Sequence, residues 1–190
     1  MDAQIRSPDR YCLFDTAIGA CGVAWSERGL TRLRLPEKDR AAIEQRLRTR
    51  SAIAADPPPE IAQTIAGIQR YLAGERIDFS GVAVDLARVD EFNRAVYNAL
   101  RAVGWGETTT YGELARRAGV PGMAQAVGQA MAGNPMPVVI PCHRVLASGK
   151  RLGGFSAYGG VATKERLLAL EGIVSPLLPG LDEPDAANLR

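Results

Sequence analysis

Short apolar segments separated by glycines occupy the start of the chain. Residues 11–16, 21–26 and 30–35 are rich in apolar side chains, and glycines lie at or near their ends. Segments of this length, bounded in this way, are typical of β-strands joined by tight turns. The pattern therefore predicts three consecutive strands.

The first predicted hairpin contains two of the three cysteines. If its turn spans residues 17–20, Cys12 faces Trp25, and the sulfurs of Cys12 and Cys21 are not cross-strand partners. An odd number of cysteines argues against a disulfide framework. We expect both residues to be small buried side chains. Since the chain has no CxxC pair and one histidine, we expect no metal site.

Helical periodicity replaces the strand pattern after Pro36. Residues 36–48 form a charged helical stretch, and residues 60–73 carry apolar side chains on one stripe. Residues 77–86 are compatible with one more strand. We therefore predict an α+β N-terminal domain over residues 1–88, formed by a small antiparallel sheet with helices.

The second half of the chain has a helical pattern. Apolar positions recur at spacings of three and four within residues 90–103, and Thr110 is a plausible N-cap for a short helix over residues 111–118. A glycine-containing break at residues 119–122 precedes a further helix over residues 123–132. Two short helices joined in this way suggest a helix-turn-helix, although many such pairs serve only for packing.

A last helix is predicted over residues 163–171. Residues 89–174 are thus expected to form a mainly α-helical C-terminal domain that contains the helix-turn-helix. Residues 175–190 are rich in Pro, Asp, Glu and Asn, which is typical of a flexible tail.

Charge is unevenly distributed along the 190 residues. The net charge is +2, but residues 91–175 contain nine Lys or Arg and five Asp or Glu, which leaves −2 for the rest. This asymmetry mildly favours a polyanionic partner for the C-terminal half. No apolar run approaches the roughly 20 residues of a membrane span, and the N-terminus has no apolar signal core. We therefore predict a cytoplasmic protein with no membrane partner.

Cys142 and His143 are the candidate catalytic pair. A free thiol is only about 3% ionised at pH 7, and a neighbouring imidazole can take its proton. A carboxylate bonded to the far ring nitrogen would fix the tautomer and stabilise the resulting cation. Adjacent side chains on an extended segment point in opposite directions, however. The dipeptide alone therefore leaves two interpretations, a nucleophile with its base or a buried thiol beside a structural histidine.

A longer set of motifs surrounds this pair. The positions are 109–115 (TTYGELA), 126–131 (AVGQAM), Asn134-Pro135, 140–145 (IPCHRV), the glycine pairs 153–154 and 159–160, Lys164, Leu167-Leu168 and Glu171-Gly172. Together they resemble the O6-alkylguanine-DNA alkyltransferase family. The resemblance is strong over residues 90–173 and looser over the N-terminal strands.

The resemblance implies a role for each matching residue. Cys142 would accept the alkyl group from guanine O6, and His143, backed by Glu171, would deprotonate it through an intervening water. Tyr111 would donate a hydrogen bond or proton to guanine N3. Three more residues are implied around the substrate pocket, namely Pro141, Val145 and Tyr158. The thioether product is stable, so each molecule would act once, without a cofactor.

The resemblance also implies how DNA is bound. The alkylated guanine of double-stranded DNA would leave the base stack, with helix 123–132 in the minor groove of a monomeric complex. The implied DNA-binding residues are Arg94, Arg116, Gln125, Ala126, Asn134 and Arg144. Among these, Asn134 would act as a hinge between the helix-turn-helix and the Cys142 loop. Arg144 is alternatively a structural residue.

Two positions depart from the family pattern. Gln125 stands where the family usually has an arginine that fills the space of the flipped base, and Gln has no guanidinium plane. Tyr158 stands at or near a position where a small hydroxyl residue is common. These departures keep a second hypothesis open, a DNA-binding lesion sensor with little transfer activity. An unrelated Cys/His hydrolase is a third hypothesis.

Overall fold

The computed structural model describes residues 7–48 and 52–173. The tail predicted at 175–190 lies outside this range. Four strands form the N-terminal sheet, in the order β3-β2-β1-β4. They are β1 (Arg10–Thr16), β2 (Gly19–Ser26), β3 (Gly29–Arg34) and β4 (Ile53–Ala54).

The sheet is mixed, which corrects the expected antiparallel one. β1 and β2, and β2 and β3, pair antiparallel, but β4 pairs parallel with β1. A two-residue strand is too short to give a periodic signal, so the pattern did not reveal it. The strand proposed at 77–86 is also absent, since this segment contributes a single bridge from Val84 to Leu30.

The first hairpin has a tighter turn than expected. Thr16 pairs with Gly19, so the loop has two residues, and Cys12 faces Val23 rather than Trp25. Gly19 accommodates the turn with a φ of +123°, which favours glycine. The register therefore differs by two residues, which keeps every side chain on its expected face. Cys12 and Cys21 are both free; Cys21 is buried as predicted, whereas Cys12 is only partly buried.

Two helices cover the sheet. α1 (Arg40–Leu47) begins after Asp39, whose carboxylate accepts a hydrogen bond from the backbone of Ala42. It starts four residues later than the charge pattern suggested. α2 (Pro59–Leu72) has proline at its first position and buries one apolar face. The buried residues of that face are Ile61, Thr64, Ile65, Ile68, Tyr71 and Leu72.

The C-terminal half contains four helices within the described residues. They are α3 (Glu91–Arg101), α4 (Tyr111–Arg117), α5 (Ala124–Ala132) and α6 (Gly160–Leu170). Thr110 caps α4 as predicted, and Glu113 completes a reciprocal capping box with it. α4 and α5 pack against each other and against α3.

A short parallel ladder brings the start of α4 to the candidate catalytic pair. Strand β5 (Thr109–Thr110) pairs with β6 (Val145–Leu146), and Cys142–Arg144 form a 3-10 turn directly before β6. Tyr111 follows β5 immediately in the chain. The two strands therefore set Tyr111 beside the turn that carries Cys142.

One hydrophobic core runs through both halves. A single cluster of buried side chains extends from Phe14 in the sheet, through α2 and α3, to Cys142 and Leu167. The backbone N–H of Leu33 also donates to the carbonyl of Pro135 at 2.9 Å, which joins the edge strand β3 to the loop before Cys142. No helix in the described ranges is both long and apolar enough to cross a bilayer.

Candidate active site

A folded loop after α5 holds Cys142 in place. Asn134, buried at its start, donates from Nδ2 to the carbonyl of Ile140 at 2.8 Å and accepts from the N–H of Met136 at 3.0 Å. Val138 has a φ of +76°, which is unfavourable for a β-branched residue. The surrounding loop must therefore maintain this conformation. Asn134 thus connects the end of α5 to the residues just before the thiol.

The Cys142 thiol lies inside the protein. Only 5% of the residue is exposed, and burial raises the pKa of the thiol to about 11. The amide of Asn134 and the charge of Lys164 lower this pKa because both favour the thiolate. The thiol is nevertheless protonated at neutral pH, so a base must take its proton before the sulfur attacks.

Lys164 brings a buried positive charge to the same region. Its Nζ, on α6, donates to the carbonyl of Val145 at 2.6 Å and to that of Leu152 at 2.5 Å. Burial lowers the pKa of Lys164 to about 8, while the nearby Cys142 raises it. Lys164 therefore connects α6 to the chain on both sides of the 3-10 turn Ser148–Lys150.

His143 and Glu171 form a fully buried pair. Nε2 of His143 lies 2.8 Å from Oε1 of Glu171. Burial raises the pKa of Glu171, but hydrogen bonds from His143, Arg144 and Tyr71 outweigh this effect and lower the pKa to about 2. Because a carboxylate only accepts hydrogen bonds, the hydrogen of the neutral ring is on Nε2 and the lone pair is on Nδ1.

Nδ1 of His143 is the ring atom that remains able to accept a proton. It is buried and has no hydrogen-bond partner among residues 7–48 and 52–173. Burial lowers the pKa of His143, against the opposing effect of Glu171, which keeps the ring neutral at neutral pH. A neutral imidazole with a free nitrogen, in the residue next to Cys142, has the protonation state that a general base needs.

Arg144 points into the protein, which corrects its assignment as a DNA contact. Its Nε and Nη2 each lie 2.8 Å from an oxygen of Glu171, and Nη1 donates to the carbonyl of Val103. Only 7% of the side chain is exposed. A phosphate group would have to displace Glu171 to reach it, so the structural role is the one that fits.

Cys142 opens into a cavity of about 380 Å³. Tyr111, Gly128 and Met131 line one side, and residues 154–156 line the other. Burial raises the pKa of Tyr111, so its hydroxyl keeps its hydrogen and can donate. The cavity therefore presents a thiol and a phenol donor to the same bound molecule.

A second opening leads from Cys142 into a larger cleft of about 710 Å³ between the N-terminal sheet and the C-terminal half. Tyr158 lines this cleft and is 60% exposed. It lies at the outer end of the segment that separates the two openings. Its assignment to the substrate pocket thus applies to the cleft rather than to the cavity beside Tyr111.

Pro141 and Val145 flank the catalytic turn without facing the cavity. Pro141 lines a separate cavity of about 460 Å³ together with Arg144, and Val145 is fully buried with its carbonyl bonded to Lys164. The turn at Cys142–Arg144 thus directs the side chain of Cys142 into one cavity and those of Pro141 and Arg144 toward another. The side chains of Pro141 and Val145 thus do not line the cavity beside Tyr111, and the expected contact of the Val145 backbone with the guanine stays a prediction.

The proposed DNA-contact residues on the helices are at the surface. Arg94 on α3, Arg116 on α4 and Gln125 on α5 are exposed, while Ala126 is partly buried. Gln129 is exposed one turn beyond Gln125. In the described ranges, no three His, Cys, Asp or Glu side chains converge as a metal ion would require.

Sequence reasoning missed two residues of the site. Tyr71 belongs to the buried face of α2, where its spacing from Ile68 resembled ordinary core packing. Lys164 was noticed only as part of a motif. The single available signal was a lysine within the apolar face of the last helix, since a buried lysine requires partners.

Both halves of the chain match family models. Residues 10–86 match the model for the 6-O-methylguanine DNA methyltransferase ribonuclease-like domain, and residues 91–173 match its DNA binding domain.

Three relatives illustrate the similarity. A methylated-DNA–protein-cysteine methyltransferase of Mycolicibacterium paratuberculosis is 37% identical over 87% of this chain and 94% of its own. The mouse protein of that name is 36% identical over 86% and 82%. A crystal structure of Mycobacterium tuberculosis OGT in complex with DNA is 34% identical, covers 85% of this chain and 92% of its own, and has a TM-score of 0.68. The chain therefore belongs to the 6-O-methylguanine DNA methyltransferase family.

Proposed function

We propose that this protein repairs DNA by moving the alkyl group of an O6-alkylguanine onto Cys142, once per molecule and irreversibly. The observation that carries the proposal is a buried thiol in a cavity with Tyr111 on one side and the His143–Glu171 pair behind it. The activity also agrees with the names of relatives that match most of the chain.

The residues divide the chemistry between them. The proton of the thiol passes through a water to Nδ1 of His143, and the sulfur of Cys142 then attacks the alkyl carbon. A carbon–sulfur bond forms as the carbon–O6 bond breaks. Tyr111 donates to guanine N3 and stabilises the charge on the leaving base, which takes a proton in place of the alkyl group.

The substrate base must leave the helix to reach the cavity. We infer that α4 and α5 act as a helix-turn-helix, with α5 in the minor groove of a single bound duplex and the protein acting as a monomer. Gly128 and Met131 of α5 line the cavity, which supports this placement. Arg94 and Arg116 would contact phosphates. A DNA substrate is consistent with a cytoplasmic location.

We also infer that residues 1–88 and 89–174 form the two domains of the protein.

Intact-protein mass spectrometry tests the transfer. After incubation with a duplex containing one O6-methylguanine, we expect a gain of about 14 Da on Cys142, limited to one per chain. Cys142→Ala should show no gain while it still binds the duplex. The half-buried Cys12 provides a matched control, because Cys12→Ala should react like the wild type.

The same measurement separates this function from lesion sensing. Retained binding of the lesion without any mass gain in the wild-type protein would favour the sensor, and Gln125 would be the first residue to examine. A methyl group found on another residue would refute Cys142 as the acceptor.

A further inference from the structure

One side chain of the N-terminal half reaches the His143–Glu171 pair. Tyr71 lies in the last turn of α2 and is fully buried. Its hydroxyl donates to Oε1 of Glu171 at 2.6 Å and lies 3.1 Å from Nε2 of His143. The pair is therefore completed by a residue distant from the catalytic motif in sequence.

Aromatic neighbours from both halves fix the ring of Tyr71. Its centroid is 5.6 Å from that of Phe79, 5.4 Å from that of Trp105 and 6.4 Å from that of His143, and each pair is edge-to-face. This arrangement is favourable for aromatic rings and orients them. The hydroxyl therefore has little freedom to turn away from His143.

The single hydrogen of the hydroxyl determines what His143 experiences. Burial raises the pKa of Tyr71 far above its ordinary range, so the phenol stays protonated. With that hydrogen donated to Glu171, the phenol oxygen presents a lone pair to Nε2. If Nε2 carries the hydrogen, it can donate to two acceptors, the phenol oxygen of Tyr71 and Oε1 of Glu171. If Nε2 carried a lone pair instead, that lone pair would face the lone pairs of both oxygens, which is unfavourable.

On the basis of the alkyl-transfer function above, we propose that Tyr71 is a positioning residue for His143. It holds the ring hydrogen on Nε2 and, by occupying Oε1, limits how strongly Glu171 favours a second proton on the ring. Nδ1 thus stays free to take the proton of Cys142. Tyr71 touches neither the sulfur nor the substrate, so the N-terminal half contributes to the reaction through His143.

Removal of the Tyr71 hydroxyl should change the pKa of His143 in one direction. The charged and titratable groups that face the ring, besides Tyr71, are Glu171 and Lys164 at α6 and Cys142 and Arg144 in its own turn, and Tyr71→Phe keeps them all. The variant also loses the phenol oxygen as an acceptor for the hydrogen on Nε2, but the ionised carboxylate of Glu171 is the stronger acceptor and stays 2.8 Å from that nitrogen. Without the phenol donor, Glu171 interacts more strongly with the imidazolium. The pKa of His143 should therefore rise, by about half to one unit.

Nitrogen-15 NMR of histidine-labelled protein measures this directly, because His143 is the only histidine in the chain. We expect the wild-type ring to carry its hydrogen on Nε2. In a titration from about pH 8 downward through the midpoint, Tyr71→Phe should raise that midpoint by about half to one unit.

Tyr11→Phe is the matched control. Tyr11 is buried in the same half, and its hydroxyl donates to Glu44 at 2.7 Å, away from His143. This variant loses a similar bond and should leave the midpoint unchanged. If general destabilisation caused the shift, the midpoint of His143 would move by a similar amount in both variants, and that result would overturn the proposal.

An unchanged midpoint in Tyr71→Phe, or a wild-type hydrogen on Nδ1, would also overturn it. The spectra are recorded on unreacted protein, so absence of methyl transfer would count against the function alone. Single-turnover transfer rates give a second readout. The acid limb of the pH profile should shift upward in Tyr71→Phe by the same amount, and it should stay in place in Tyr11→Phe.

Discussion

Arg116 and Arg144 show how two similar residues take different roles. Arg116 is exposed in the last turn of α4, whereas the guanidinium of Arg144 is surrounded by Glu171 and the carbonyl of Val103. An exposed cation releases counterions when it meets a phosphate. A buried cation instead balances a buried charge, so its removal leaves the partner uncompensated.

These surroundings predict opposite consequences for two alanine variants. Arg116→Ala should reduce the slope of log affinity for undamaged duplex against log salt by about 1, with unfolding free energy little changed. Arg144→Ala should keep the slope and lose about 3–5 kcal/mol of stability, because the carboxylate of Glu171 would remain buried without its positively charged partner. Salt-dependent binding and denaturant unfolding of both variants check this. A reduced slope in Arg144→Ala would indicate instead that Arg144 contacts the DNA phosphates.

At this scale the motifs indicated the candidate reacting groups but not the side chains that surround them. Cys142, His143 and Glu171 belong to a set of motifs spread over residues 109–172, and the resemblance carried by that set indicated their roles. The inward direction of Arg144 depends on Glu171, 27 residues away, and Tyr71 is 100 residues from Glu171. Contacts of such separation leave no local signal in one sequence.

Among the helices, α5 combines a packed face with an exposed one. Val127, Ala130 and Met131 are buried, while Gln125 and Gln129 are exposed on successive turns. Small side chains between them allow close approach to a neighbouring surface. A neutral amide at the outer position offers hydrogen bonds but lacks the charged guanidinium plane with which an arginine stacks on bases.

Gln125→Arg should therefore accelerate repair of duplex DNA by roughly an order of magnitude, an effect of about 1.4 kcal/mol. The rate with free O6-methylguanine base should not change, because that substrate needs no flipping. Gln129→Arg adds the same charge one turn away and should have a smaller effect on the duplex rate. Single-turnover rates on both substrates decide the matter, and equal acceleration on both would refute the flipping explanation.

Helices were more predictable than strands. The cap at Thr110 and the apolar stripe of α2 are local patterns, and both were found from the sequence. Strand β4 and the two-residue turn of the first hairpin depend on pairing between distant or competing partners. Periodicity alone does not determine such pairings.

At the scale of the whole molecule, residues of the candidate active site also hold the two halves of the protein together. The continuous core and the bonds of Tyr71 to Glu171 predict one cooperative unfolding transition. Glu171 is central to this connection because its carboxylate receives bonds from both halves.

Acidification should reveal this contribution. The pKa of Glu171 is lowered to about 2 in the folded protein from its ordinary 4.5, so its stabilising effect is complete above about pH 4.5 and is lost as the pH falls toward 2. Glu171→Gln should cost on the order of 3 kcal/mol at neutral pH, and the difference from wild type should shrink below about pH 4.5. Urea unfolding across this range measures it, with the exposed Glu60→Gln as background. A constant difference would contradict the linkage.

The edges of the sheet have a consequence for a protein that is used up in its reaction. The outer side of β3 is bonded to Ala83, Asp85 and Pro135, whereas on the outer side of β1 the strand β4 pairs with Arg10 and Tyr11. The backbone of β3 is thus largely unavailable for strand addition by a second copy, which is a common route to aggregation. Because a reagent consumed one molecule per lesion must be present in many copies, a covered β3 edge favours those copies remaining dispersed until each is needed.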